Sequence, residues 1–597
     1  MDAAADIRSP EVLVQHRADG CTLLKAPQPL PSYPARLTAR LQHWVAAAPN
    51  RIFLAERDGM EWRSVTYAQA METVGALAQA LLGRDVSPGR PVLILSGNDI
   101  DHALLGLACL HVGIPYTPVS EAYSLLSADH VNLRQIVALT TPGLVFVSDA
   151  ARFQRALQAA VPDGIEVVAA RNGRAGDTAL DHLMASPATP AVIAAADRVG
   201  ADTLAKLLFT SGSTGAPKAV INTHGMLCAN QAMIADHFPF LEREPPVLVD
   251  WLPWSHTFGG NNNFNMVLYH GGSLYIDGGR PVPGQFEPTV QALREVAPTL
   301  HLTVPKGWEA LAQHLRADPA LNQQFWSRLR VPFYAAASLP QPLWDELARL
   351  SRAATGRELP MVTGLGSTET APMAFCNGPG ATVAGHVGLP VAGVEVKLTP
   401  VDGKLEARIR GPSVTPGYWR DPVRTAAAFD NEGYYRMGDA LAWVDPGQPG
   451  RGLRFDGRLA EDFKLLSGTW VSVGPLRARL IAALSPHVRD VVIAGHDRDY
   501  IAVLAIPANP AAADRAVGEA LLAALAALRA EATGSSTRVM RLAFTHGPLS
   551  IDAGEVTDKG SLNQAAVLRR RADEVAALYA DPPPPNVLCL QPEELVA

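Results

Sequence analysis

The stretch LLFTSGSTGAPKAV, residues 207–220, places Thr210, Ser211, Gly212, Ser213, Thr214, Gly215 and Lys218 between two short apolar runs. Glycines let a backbone turn its N–H groups inward onto anionic oxygens. The hydroxyls add donors and the lysine adds a full charge. The composition reads as a phosphate cradle, against the plainer reading of a flexible surface turn. A Walker nucleotide loop has the spacing GxxxxGK[ST] and opens a helix. Here Ala216 and Pro217 separate Gly215 from Lys218, and the residues after the lysine, Ala-Val-Ile-Asn, are strand-like. The loop is therefore expected to join two strands, with helix beginning only near His224. Such a loop lacks the helix N-terminus that supports a Walker phosphate site.

Working outward, apolar strand-like runs alternate with helical patterns from about Pro91 to Lys404. Strand-like runs include residues 92–95, 144–147, 207–209, 247–252, 274–276, 300–304 and 332–336, with amphipathic segments such as 289–296 and 342–352 between them. That alternation predicts a largely parallel α/β arrangement covered by helices. The texture then changes. Residues 394–398 and 404–410 alternate apolar and polar around Asp402-Gly403, a hairpin signal, and a β-rich subdomain over about 391–456 is expected. Past Gly457 follows a smaller α+β unit, 458–597. It shows a second hairpin signal at 496–499, an Ala/Leu-rich amphipathic helix at 516–532 and a charged helix at 565–579. The first 50 residues look peripheral. The fold class expected is α/β, with a large N-terminal domain (1–457) and a mobile C-terminal one.

The whole chain narrows the function classes. At 597 residues it exceeds one hydrophobic core. A formal net charge of -7 without a dense Lys/Arg block argues against a nucleic-acid face. The five cysteines form no CxxC pair, which argues against a zinc site or a disulfide framework. No apolar run approaches the about 20 residues of a membrane span, and the N-terminus shows no signal-peptide pattern. A soluble cytoplasmic protein, monomer or homodimer, is expected.

Further motifs follow in order: WLPWSH at 251–256, AAAS at 335–338, GLGSTE at 364–369, YYRMGD at 434–439, GR at 457–458 and GEVTDKG at 554–560. Singly, each has a plain reading: His256 as a core histidine, Thr368-Glu369 as a helix start, Asp439 as a turn residue, Lys559 as a surface lysine. As an ordered set with TSGSTGAPK, they resemble the adenylate-forming superfamily of acyl- and aryl-CoA synthetases, luciferases and peptide-synthetase adenylation domains, over about residues 40–575.

The resemblance implies roles. Thr210, Ser211, Gly212, Ser213, Thr214, Gly215 and Lys218 would hold the β- and γ-phosphates of ATP. Ala336, Ala337 and Ser338 would lie at the adenine, and Gly366, Ser367 and Thr368 at the α-phosphate and acyl group. Glu369 would hold Mg²⁺, a cation that prefers hard oxygen ligands. Asp439 and Arg458 would reach the ribose, and His256 would sit beside the acyl site. Lys559 would be the adenylation lysine. The hinge position carries Ala460 where the family has a charged residue, with Glu461 and Asp462 after it, and Met437 replaces a usual threonine. The segments GRLAEDFKLLSGTWVSVG, GEVTDKGSLNQAAVLRRR and WLPWSHTFGGNNNFN resemble the feruloyl-CoA synthetase branch, which activates hydroxycinnamic acids.

The activity implied is formation of an acyl-adenylate from an aromatic acid and ATP, then of a thioester with coenzyme A. Alternatives are another aryl or fatty acid, loading of a carrier protein, an idle nucleotide-binding homologue, or a Walker ATPase, which the loop spacing opposes. No fused carrier domain is expected after the lysine motif. Asn261, Asn262 and Asn263 would either hydrogen-bond a phenol or methoxy group or cap the following helix.

Overall fold

The structure is a computed structural model describing residues 7–211, 217–282, 284–509, 515–532, 534–557 and 562–590. The opening stretch forms a strand, Leu204–Ser211, paired antiparallel with Pro217–Thr223. The helix that follows, His224–His237, starts on a Thr223 cap whose side chain accepts from the Met226 N–H. This hairpin ends a seven-stranded sheet whose other strands are all parallel. Strands such as Val92–Leu95 and Leu144–Asp149 are apolar on both faces because helices cover both.

The expected alternation is distributed over more than one sheet. Val247–Asp250, Ser273–Ile276 and Ile52–Asp58 run parallel in a four-stranded sheet closed by Glu61–Thr66. Leu300–Thr303, Val331–Tyr334 and Val362–Gly366 begin an eleven-stranded sheet, parallel here and antiparallel beyond. The strands of 391–456 continue this same sheet. Their hairpin turns at Asp402 and Gly403, both with positive φ (47° and 80°), the geometry of a tight two-residue turn. Leu13–His16 and Thr22–Lys25 pair onto Glu395–Val401 and form the sheet's edge, so the first residues are outermost yet hydrogen-bonded into the domain.

The C-terminal unit has its own core, including Val471, Leu480, Val491, Ile501, Val503, Leu521 and Leu542. Its four-stranded sheet contains the expected hairpin, Val488–Ala494 with Ile501–Pro507. The Ala/Leu helix spans Arg515–Ala530. The single final helix expected at 565–579 is instead two, Gln564–Arg570 and Ala572–Ala577. The break falls at Arg571, whose guanidinium donates to the His546 and Pro548 carbonyls and to Glu555. All five cysteines are free thiols. Among the described residues no helix is long and apolar enough to cross a membrane.

Candidate functional site

The hairpin register puts Thr210 opposite Lys218. A third segment joins its exit strand: Ile221 N–H donates to the Gly417 carbonyl at 3.2 Å and Trp419 N–H to that of Ala219 at 2.9 Å. This brings Tyr418 over the lysine. Lys218 Nζ lies 2.7 Å from Glu369 Oε1 and 3.0 Å from Tyr418 Oη, with the ammonium 4.6 Å from the ring centre. Tyr418 in turn donates to the same Glu369 oxygen at 3.0 Å. Burial favours the neutral form of each group, but the Lys218–Glu369 attraction and their hydrogen bonds outweigh it. The lysine is raised and the carboxyl lowered from their ordinary values, so both are charged at neutral pH.

Glu369 sits in a one-turn helix, Thr368–Thr370, whose Thr370 hydroxyl accepts from the Ser367 N–H at 2.8 Å. Its carbonyl accepts from Thr415 N–H at 2.8 Å. The strand before it ends in Gly366, where an added Cβ would lie 1.6 Å from the Pro372 carbonyl oxygen. Only glycine permits that approach. Among the described residues Thr210 Oγ1 and Ser367 Oγ are both buried without a hydrogen-bond partner, an arrangement that costs free energy unless something fills the place.

Asp439, on strand Tyr435–Trp443, faces Arg458 across the register with Leu453–Arg458. Arg458 Nε stands 3.3 Å from Asp439 Oδ1, but that oxygen has no aligned donor. Burial pushes the Asp439 carboxyl up to about 6. Arg458 opposes the rise, while Glu461 and Glu369 add to it. The influence of Glu369 places the ribose candidate and the metal candidate in one electrostatic neighbourhood. At the end of Val331–Tyr334, Ala336 takes φ 71° with Ala337 and Ser338 exposed beside it. A left-handed alanine is sterically costly and clusters at ligand-binding turns.

His256 is half-buried ahead of a seven-residue π-helix, Phe258–Phe264. Its carbonyl accepts from Gly260 N–H at 2.8 Å. The asparagines lie within that π-helix and do not cap the helix after it, whose start carries no side-chain cap. Asn261 donates to Asn222 and Thr257, Asn262 to Asn263, and Asn263 to Asp250, all buried. The capping reading is thus overturned, because the chain enters the helix already helical. Gly212, Ser213, Thr214, Gly215 and Lys559 lie outside the described residues, and Ser211 is described only as strand backbone.

Tyr418 and Thr415 escaped the sequence reading. They lie in irregular chain after the hairpin, where GPSVTPGYW offered only turn residues and an aromatic pair. The hinge departure also gains a physical content. Asp462, with a fully buried side chain, accepts from Lys404 Nζ and, at 2.8 Å, from the Val473 N–H. Lys404 also donates to the Asp456 carbonyl at 2.6 Å. A lysine of the N-terminal hairpin thereby holds both sides of Ala460.

Comparison with known proteins gives a consistent picture. A family model described as AMP-binding enzyme matches residues 41–419, and one for the AMP-binding enzyme C-terminal domain matches 463–582. A carboxylic acid reductase of Mycobacterium tuberculosis is 27% identical, over 75% of this chain and 40% of its own length. The chain thus spans under half of that relative. The 3-hydroxybenzoate–CoA ligase of an Aromatoleum species is 26% identical over 75% of this chain and 83% of its own. The adenylation domain of a carboxylic acid reductase from Segniliparus rugosus, solved with AMP and a co-purified carboxylic acid, superposes with a TM-score of 0.71. It shares 22% identity and covers 92% of this chain and 94% of that one, a likeness of fold.

Proposed function

The chain belongs to the AMP-binding enzyme family, and from that premise we propose that it is an ATP-dependent acid–CoA ligase acting on ferulate or a related hydroxycinnamate. The observation that carries the adenylating half is a set of buried oxygens without a hydrogen-bond partner among the described residues, Thr210 Oγ1, Ser367 Oγ and Asp439 Oδ1, together with a charged Lys218–Glu369 pair. Two hydroxyl donors suit phosphate oxygens. A buried carboxylate suits the vicinal hydroxyls of a ribose. Adenine would rest on the exposed turn at 336–338.

In this reading a carboxylate oxygen attacks the α-phosphorus of ATP, and the bond to pyrophosphate breaks. A CoA thiolate then attacks the acyl carbon, and AMP leaves. Lys218 offsets charge on the departing pyrophosphate, and Thr210 and Ser367 donate to phosphoryl oxygens as charge develops there. Lys559 would hold the acid's carboxylate against the α-phosphate. Among the described residues no cluster of three His, Cys, Asp or Glu is assembled. Glu369, whose hydrogen bonds with Lys218 and Tyr418 both fall on Oε1, leaves Oε2 as the oxygen that would hold Mg²⁺ beside the phosphate oxygens. The cation would supply charge neutralisation at the triphosphate. The domains 1–457 and 458–597, with rotation about Ala460 between half-reactions, are part of this proposal.

The hydroxycinnamate assignment is supported by the branch-like segments around the hinge, the lysine and the WLPWSH run. The test is thioester formation with CoA across ferulate, p-coumarate, caffeate, benzoate and a fatty acid. Highest kcat/KM on a hydroxycinnamate supports the assignment, and preference for benzoate or the fatty acid overturns it. The match to carboxylic acid reductases favours a second reading, an adenylating domain that passes its acyl group to a carrier. Adenylate formed without any CoA thioester would select that reading.

A further inference from the structure

Asp552 belongs to the C-terminal unit but bonds to the N-terminal domain. Its Oδ1 accepts from Ser127 Oγ at 2.6 Å and its Oδ2 from the Ala128 N–H at 2.9 Å. Ser127 is buried, and its oxygen also accepts from His130 N–H at 2.9 Å, which leaves the hydroxyl proton for the carboxylate. A longer contact from Ser127 to Asp129, at 3.4 Å, is the weaker use of that proton. Beside it, Ile551 packs against the apolar cluster of Leu93, Leu95, Val119 and Tyr123. A two-point polar contact and an apolar one thus seat the same turn.

The turn is rigid on its own side. Gly554 N–H donates to the Ile551 carbonyl, and Glu555 N–H to that of Ser550. The Glu555 carboxylate is held by Arg571 at 2.7 Å, both side chains buried. Immediately after the turn, Val556 bridges to Leu562. Val556 and Leu562 flank Lys559 in the sequence.

We infer that Asp552 is a positioning residue for the first half-reaction: it seats the C-terminal domain so that Lys559 reaches the nucleotide. The inference rests on the adenylating role proposed for Lys559. Hydrogen bonds to a carboxylate are roughly twice as strong as neutral ones. A contact made in only one arrangement of two domains shifts the equilibrium toward that arrangement. Rotation about Ala460 would break it, so it favours adenylation and contributes nothing to thioester formation.

The experiment uses the full chain and the acid that gives the fastest pyrophosphate release. Pyrophosphate–ATP exchange reads the first half-reaction. Thioester formation from the chemically prepared adenylate of that acid reads the second. Asp552→Ala is expected to slow exchange about tenfold, with KM for ATP little changed and thioester formation from adenylate undiminished. Ser127→Ala is expected to slow exchange less, and to add nothing in the Asp552→Ala background. Equal losses in both half-reactions, or none in either, overturn the inference. Where Asp552→Ala folds poorly, Ser127→Ala alone carries the test, and equal effects on the two half-reactions overturn it. Lys559→Ala separates the two claims. If Lys559→Ala retains exchange, the lysine assignment itself fails. If it loses exchange and Asp552→Ala does not, only the seating role fails.

Discussion

Lys218 and Glu369 form a buried ion pair whose members need each other. Removing one leaves a charge without compensation, which costs about 3–5 kcal/mol for a fully buried pair. Lys218 keeps some solvent contact and Glu369 retains Tyr418. Lys218→Ala is therefore expected near the lower end of that range in urea unfolding. Lys218→Met with Glu369→Gln should recover most of the stability and none of the activity. Asp439 makes the opposite case. Its carboxyl binds a proton more tightly in the folded chain than its ordinary value of 3.8 allows, and releases it at about 6. The penalty is absent below the ordinary value and present in full above pH 6. Burial, Glu461 and Glu369 set it, and Arg458 only partly offsets it. Asp439→Asn should stabilise the ligand-free protein at pH 8 by about 1–3 kcal/mol, with no gain at pH 3.5, while weakening ATP binding. Thermal melts at the two pH values and ATP titration check this. An unchanged melting temperature at pH 8 would contradict it.

At the scale of elements, two contacts position the machinery. Gly366→Ala would drive a Cβ into the Pro372 carbonyl. The strand end that presents Ser367 and Glu369 cannot absorb that without moving, so loss of soluble protein or of nucleotide binding is expected, read by expression and ATP titration. Lys404 clamps the segment on both sides of Ala460 through Asp456 and Asp462. Lys404→Ala should leave Asp462 buried without its cation and speed amide exchange across 456–464, measured by hydrogen–deuterium exchange. Slower or unchanged exchange there would contradict the clamp. Local elements were legible where pattern and turn chemistry agreed. The Asp402-Gly403 hairpin and the two strands Leu204–Ser211 and Pro217–Thr223 both follow from short-range rules. The break at Arg571 was not legible, because it depends on carbonyls at His546 and Pro548 far along the chain. The allocation of parallel strands to separate sheets is likewise a tertiary outcome. The Asn261–Asn263 run was ambiguous because a π-helix and a cap use the same residues.

At the scale of the molecule, the order of the motifs carried more than any one of them. Lys218, Glu369, Asp439 and Arg458 lie far apart in the chain, yet the structure brings them to one region. Tyr418, which completes the ion pair, gave no signal, since an aromatic in irregular chain reads as packing. The account therefore stands on whether this region transfers adenylyl and not phosphoryl groups. Exchange of labelled pyrophosphate into ATP, measured without CoA and with and without ferulate, tests it most directly. The account predicts acid-dependent exchange with AMP as the nucleotide product once CoA is added. Release of ADP and phosphate, or no exchange with ferulate or any other acid of the panel, would contradict it.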